Sequence, residues 1–239
     1  MEYEIFGRNL PAVTITLEKG ETINTQTGTL AWMTDGIEFK TEMKGGFFAG
    51  LKRAVTGNSM FLSSFVANRE YEKLTLSTAV PGEIRAFEID HNHTYIAQKG
   101  AFLASTDGVE VETVSNKSLK AGLFGGEGIF LQQFTGNGIV FVELDGSIKE
   151  IELAYGEKIL VAAGHVALFE DTVQYSVQSV KGASNILFSG TGLFLTELTG
   201  PGKVYLQSMN IQDMANRLKP YLPTSTTTVT TSSSSSSED

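Results

Sequence analysis

The sequence predicts an all-β body of three similar units with pseudo-threefold symmetry, followed by one short helix near the C-terminus. Three observations carry that expectation. One block pattern occurs three times, apolar residues alternate or run over strand lengths elsewhere, and a single stretch shows a helical period. Within the units, a sandwich or a double-stranded β-helix-like arrangement fits short strands separated by turns.

The repeated block is "GTLAWMTDGIEF" (28–39), "GAFLASTDGVEV" (100–111) and "GHVALFEDTVQY" (164–175). Each copy starts with Gly, reaches Asp seven positions later and continues apolar-x-apolar. The lead-in also recurs, as "ITLEKGETINTQTG" (15–28), "FEIDHNHTYIAQKG" (87–100) and "IELAYGEKILVAAG" (151–164). A further block reads "GNSMFLSSF" (57–65), "GEGIFLQQF" (126–134) and "GTGLFLTEL" (190–198). The units therefore run over about 13–86, 87–150 and 151–210 of a single domain, residues 1–222.

Turns are expected where the chain carries Asp35-Gly36 and Asp107-Gly108, a pair that tolerates the positive φ of a hairpin turn. Asp171-Thr172 holds that place in the third unit and calls for a different turn. These Asp and Gly residues are read as structural, the carboxylates bonding nearby backbone N–H groups. The helix is expected over "NIQDMANRLKP". Ile211, Met214, Ala215 and Leu218 recur at i, i+3, i+4 and i+7. Asn210 is placed to cap, Asp213 lies in the first turn, Arg217 and Lys219 lie in the last, and Pro220 follows. Residues 223–239 form a Ser/Thr-rich tail, expected to be disordered because it has too little apolar surface to offset ordering entropy.

Composition narrows the function. The chain has 239 residues, 41% hydrophobic and 19% charged, with 18 basic and 27 acidic residues and a net charge of -9. That balance disfavours nucleic acid, whose grip rests on phosphate neutralisation. With no cysteine there is no disulfide, thiolate nucleophile or Cys-ligated metal. "MEYEIFGRNL" is acidic and has no apolar run, so neither a signal peptide nor a transit peptide is expected. A cytoplasmic protein is the expectation.

"GGFFAGLKRA" (45–54) has the G-x-x-x-x-G spacing of a phosphate loop. The nucleotide reading fails because Leu51 stands where the lysine belongs and Arg53 where Ser or Thr belongs. The first unit is also three residues longer here than the other two. Phe47 and Phe48 beside Lys52 and Arg53 form the candidate partner-contact surface, suited to a protein or an anionic membrane.

"GGFFAGLKRAVTGNSMFL", set within three β repeats, resembles the domain-of-unknown-function family shared by bacterial proteins and the fungal altered-inheritance-of-mitochondria proteins. The resemblance covers residues 1 to about 222. It implies a triplicated β fold related to the tryptophan RNA-binding attenuation protein.

No catalytic constellation can be nominated. His91 and His93 share a strand parity, yet align with Lys19 and Glu21 of the first unit and Tyr155 and Glu157 of the third, flanking a turn. His165 stands alone. Asp35, Asp107 and Asp171 are the acidic residues repeated in all three units, and their turn context accounts for them without a metal. No cofactor and no metal are expected. The functional expectation is a non-enzymatic, self-associating scaffold or binding protein. The alternatives are a small-molecule binder or enzyme with a pocket between β layers, and an RNA-binding protein. A homo-oligomer is expected because strand edges must be paired, covered or charged.

Overall fold

A computed structural model describes residues 1–40, 62–115, 130–162, 164–179 and 194–222. Phe47, Phe48, Lys52 and Arg53 lie outside the described residues, as does the tail. Nineteen strands occur among those described. Strand β1 (Glu2–Phe6) precedes a first set of six: β2 (Ala12–Leu17), β3 (Thr22–Gln26), β4 (Leu30–Met33), β5 (Ile37–Lys40), β6 (Leu62–Ala67) and β7 (Glu72–Ser77). The second set is β8 (Gly82–Ile89), β9 (Tyr95–Gln98), β10 (Phe102–Thr106), β11 (Val109–Ser115), β12 (Phe130–Gly136) and β13 (Gly138–Asp145). The third is β14 (Ile148–Leu153), β15 (Lys158–Ala162), β16 (Val166–Glu170), β17 (Gln174–Ser179), β18 (Phe194–Thr199) and β19 (Gly202–Gln207).

All strand pairs are antiparallel and follow one plan. In each set the first strand pairs with the sixth and the sixth with the third, giving β2-β7-β4, β8-β13-β10 and β14-β19-β16. The second, fifth and fourth strands form the other half, giving β3-β6-β5, β9-β12-β11 and β15-β18-β17. Adjacent sets join edge to edge. Strand β3 pairs with β10 and β9 pairs with β16, so two sheets have six strands, flanked by sheets of four and three.

The agreement extends to single residues. A register shift falls between Leu30 and Trp32, between Phe102 and Ala104, and between Val166 and Leu168. These are equivalent positions, and a bulge there bends the strand in each unit. The Lys73 N–H donates to Thr34 Oγ1, the Ile139 N–H to Thr106 Oγ1 and the Lys203 N–H to Glu170 Oε2, at 3.0, 3.0 and 2.9 Å. The same backbone donor is thus satisfied from the same place in all three units, by threonine twice and by glutamate once.

Burial explains why the strands read as they do. Where the first six-stranded sheet is covered on both faces, as along β13 (GIVFVELD), the strand is a near-continuous apolar run rather than an alternation. Val140 and Val142 pack in the central cluster with Phe102, Phe134 and Leu168, while Phe141 packs in the first cluster with Ile15, Leu74 and Phe65. A third cluster joins Phe169, Leu198, Val161 and Val204. Each fully buried Phe or Leu contributes about 1.5–3 kcal/mol of transfer free energy.

The expected hairpins are corrected. Strands β4 and β5 turn tightly at Thr34–Ile37, where the Ile37 N–H donates to Thr34 O at 3.3 Å, but they enter different sheets. The same holds for β10 and β11, and for β16 and β17. These turns are corners between sheets, and two pleated sheets are bridged this way when one strand leaves the first to join the second. Neither Gly36 nor Gly108 takes positive φ. Space is what excludes a side chain. A Cβ on Gly36 would stand 1.9 Å from Glu72 Oε1, and one on Gly108 would stand 2.2 Å from the Asn137 carbonyl oxygen.

Helix α1 (Ile211–Leu218) forms where expected. The Asn210 side chain accepts from the Gln212 N–H at 2.9 Å. Asp213 and Arg217 lie in the first and last turns, complementing the helix dipole. None of its residues is buried.

Candidate functional site

The three repeated aspartates do not gather. Asp35 pairs with the Arg69 guanidinium, which also donates from Nε to Glu72 Oε1 at 2.7 Å. Glu72 is the residue that organises this corner. It is buried, and its Oε2 accepts from the Thr34 hydroxyl and from the Gly36 N–H. The Thr34 hydrogen bond is the first cause that holds the Glu72 carboxyl below the usual range. The turn N–H expected to bond to Asp is therefore held by a glutamate 36 residues later. Asp107 accepts from Asn24 Nδ2 at 3.3 Å across the first junction. The Asp171 N–H donates to Thr94 O at 3.1 Å across the second. Among the described residues no group of three His, Asp or Glu could hold a metal ion.

Two of the three histidines, His93 and His165, are accounted for locally. Asp90 Oδ1 accepts from the Asn92 and His93 backbone N–H groups at 2.7 and 2.9 Å and meets His93 Nδ1 at 2.9 Å. These bonds, the Asn92 one first, lower the Asp90 pKa. His165 Nδ1 meets Gln207 O at 2.8 Å. A recess of about 280 Å³ lined by Met1, Leu17, Thr22 and Asp107 is slightly below the ~300–1,000 Å³ of sites that enclose a small molecule.

Two features escape the sequence reading. The first is a half-buried acid. Glu143, Ser77 and Gln207 hold one position in the three units, their N–H groups donating to Ala101, Thr29 and His165 carbonyls. Gln207 is fully used: it exchanges two hydrogen bonds with Gln98, accepts from the Asp145 N–H and donates to Gly164 O. Glu143 Oε2 is buried without a partner. Burial, with the Asp145 charge second, pushes the Glu143 pKa up to about 7. Aligning the units would have shown an acid where the others carry neutral side chains.

The second is an uncovered strand. The third strand of the set is fully buried over its first four residues in β10 and β16, yet exposed at every residue in β4. Trp32 is 57% exposed and Met33 38%, whereas their counterparts Ala104, Ser105, Leu168 and Phe169 are at most 1% exposed. The second strand differs likewise. Asn24 in β3 is buried and Ile96 in β9 half-buried, while Leu160 in β15 is 54% exposed. Among the described residues these are the two strands without a junction partner: β4 ends the first sheet and β15 ends the last. Trp32 is the sole tryptophan of the chain, standing where the other units have Ala and Leu. That contrast was open to the sequence.

Residues 3–209 match the family described as mitochondrial biogenesis AIM24. The chain belongs to the AIM24 family. An uncharacterised protein of Streptococcus pyogenes serotype M6 is 31% identical over 224 residues, 90% of this chain and 88% of that one. An X-ray crystal structure of a Streptococcus pyogenes protein superposes with a TM-score of 0.76 at 28% identity, covering 92% of this chain and 99% of that one. This AIM24 chain thus shares its fold across nearly its whole length with a bacterial relative. No helix among the described residues is long and apolar enough to cross a membrane.

Proposed function

We propose that this AIM24-family protein is a cytoplasmic, non-enzymatic scaffold that self-associates through its strand edges. The exposure of Leu30, Trp32 and Met33, at 41%, 57% and 38%, carries the reading. An apolar edge strand with open N–H and C=O groups is a template for pairing, which soluble proteins ordinarily blunt. The internal repeat of three units is part of this reading, because it makes β4 and β15 two halves of a junction the chain uses twice elsewhere. Pseudo-threefold symmetry belongs to it as well, in the sense of three like units rather than a circle closed within one chain, since β4 and β15 are not paired. A further protein or an anionic membrane is the proposed outside partner, met by Phe47, Phe48, Lys52 and Arg53.

Light scattering across a concentration series tests the reading. A mass of several chains, falling on dilution, is expected. A single-chain mass at every concentration contradicts it.

A further inference from the structure

We infer that β4 of one copy pairs with β15 of the next, reproducing between chains the junction that joins units within the chain. This rests on the self-association proposed above and names its partner, its strands and its register.

The two internal junctions fix the geometry. In the first, Ala104 faces Thr25, Ser105 faces Asn24 and Thr106 faces Ile23. In the second, Leu168 faces Ala97, Phe169 faces Ile96 and Glu170 faces Tyr95. Aligned by the repeat, these are the same three pairs. Carried to the free ends, they set Trp32 against Val161, Met33 against Leu160 and Thr34 against Ile159 of a second copy. Every member of that ladder on the β15 side is aliphatic, and two of the three on the β4 side are large and apolar. Exposed Met33 meets exposed Leu160, so the pairing removes from water two side chains that are 38% and 54% exposed in the single chain. Cross-strand apolar pairs of this kind stabilise a sheet.

Charge agrees with the same register. One step further along, Asp171 lies opposite Thr94, joined through its N–H at 3.1 Å. The matching step at the free ends sets Asp35 opposite Lys158. The Asp35 side chain, paired with Arg69, is 91% exposed, and that of Lys158, paired with Glu197, 57%. The other edges are differently placed. Strand β1 covers β2, and β8 and β14 are outer edges of the same kind in their own sheets. Among the described residues, only β4 and β15 are strands that have a junction partner in one unit and none in another. The contact is heterologous, so repetition gives a closed ring or an open filament.

Cysteine pairing tests the register, and the chain brings no cysteine of its own. Met33→Cys and Leu160→Cys place two Cβ atoms in facing positions, within disulfide reach. An oxidised equimolar mixture of the two single variants is expected to yield a covalent dimer that neither variant forms alone. The double variant is expected to yield a ladder of multimers, reversed by dithiothreitol. A single intrachain link would show that the chain closes on itself and would overturn the inference. No link in a protein that light scattering finds oligomeric would overturn it too, leaving self-association intact through another surface. A single-chain mass overturns both. Should a cysteine variant fail to fold, Met33→Asp and Leu160→Asp serve, each placing a charge on an exposed edge. Each should give a single-chain mass with an unchanged circular dichroism spectrum. Retention of the wild-type mass by both counts against the pairing.

Discussion

Strands β4 and β16 hold the same place in their units, carry the same bulge and pair with equivalent strands, yet β16 is almost wholly buried and β4 wholly exposed. Local sequence cannot account for this, since LAWM is at least as apolar as VALFE. The difference lies in the neighbour. Strand β9 of the preceding unit covers β16, and β4 has no such neighbour among the described residues. Burial in this protein is thus a property of the junction rather than of the strand.

The sharpest way to break that comparison is to truncate the same position in both units. Leu168→Ala is expected to cost about 2–5 kcal/mol, as for a fully buried leucine. Trp32→Ala should leave the single chain's Tm nearly unchanged and abolish the larger mass. Thermal melts with light scattering decide it, and equal destabilisation by the two variants would show that β4 is covered in solution by something in its own chain.

The corners give a smaller contrast. Gly108→Ala drives a Cβ into a backbone carbonyl, which cannot swing aside, and should cost about 1–3 kcal/mol. Gly36→Ala meets the end of the Glu72 side chain, which can move at the loss of its bond to Thr34. Its melting temperature should fall less, and a reversed order would show that the Glu72 cluster is the stiffer corner.

Glu143 and Gln207 compare one equivalent position, half-buried with an acid and buried with an amide. The folded Glu143 pKa, about 7, lies above its ordinary value of 4.5. The folded state therefore keeps a proton that the unfolded chain releases. Stability is greatest below the ordinary value, falls as pH rises through about 7 and is flat beyond. Glu143→Gln should raise stability on the order of 2 kcal/mol at pH 8, and the gain should vanish near pH 4. Melting curves at the two pH values check it; a gain of equal size at both would assign the effect to packing. The surface pair sets the lower bound. Asp35→Asn breaks an exposed contact with Arg69 and should not move the Tm measurably.

Much of the architecture was legible in the residues. The Gly-to-Asp spacing located every corner, because a tight turn between sheets needs a small residue and a turn former at fixed positions. The period of Ile211, Met214, Ala215 and Leu218 with Asn210 before it located the helix and its cap. The pairing partners were not legible. Asp-Gly between two apolar runs signals a turn, but whether the strands stay together depends on which sheet each can complete, a long-range property. Glu72 was missed for the same reason: its role depends on Thr34 and Gly36, far away in sequence. The exposed edge was legible only after aligning units, since Trp32 by itself looks like a core residue.

Hydrogen exchange tests the central claim most directly, because it reads the backbone amides of β4 and β15 without altering the protein. Exchange at β4 and β15 should slow together as concentration rises, while β10 and β16, already paired on both sides, stay constant. Fast exchange at β4 in a sample that light scattering shows to be oligomeric would contradict the account.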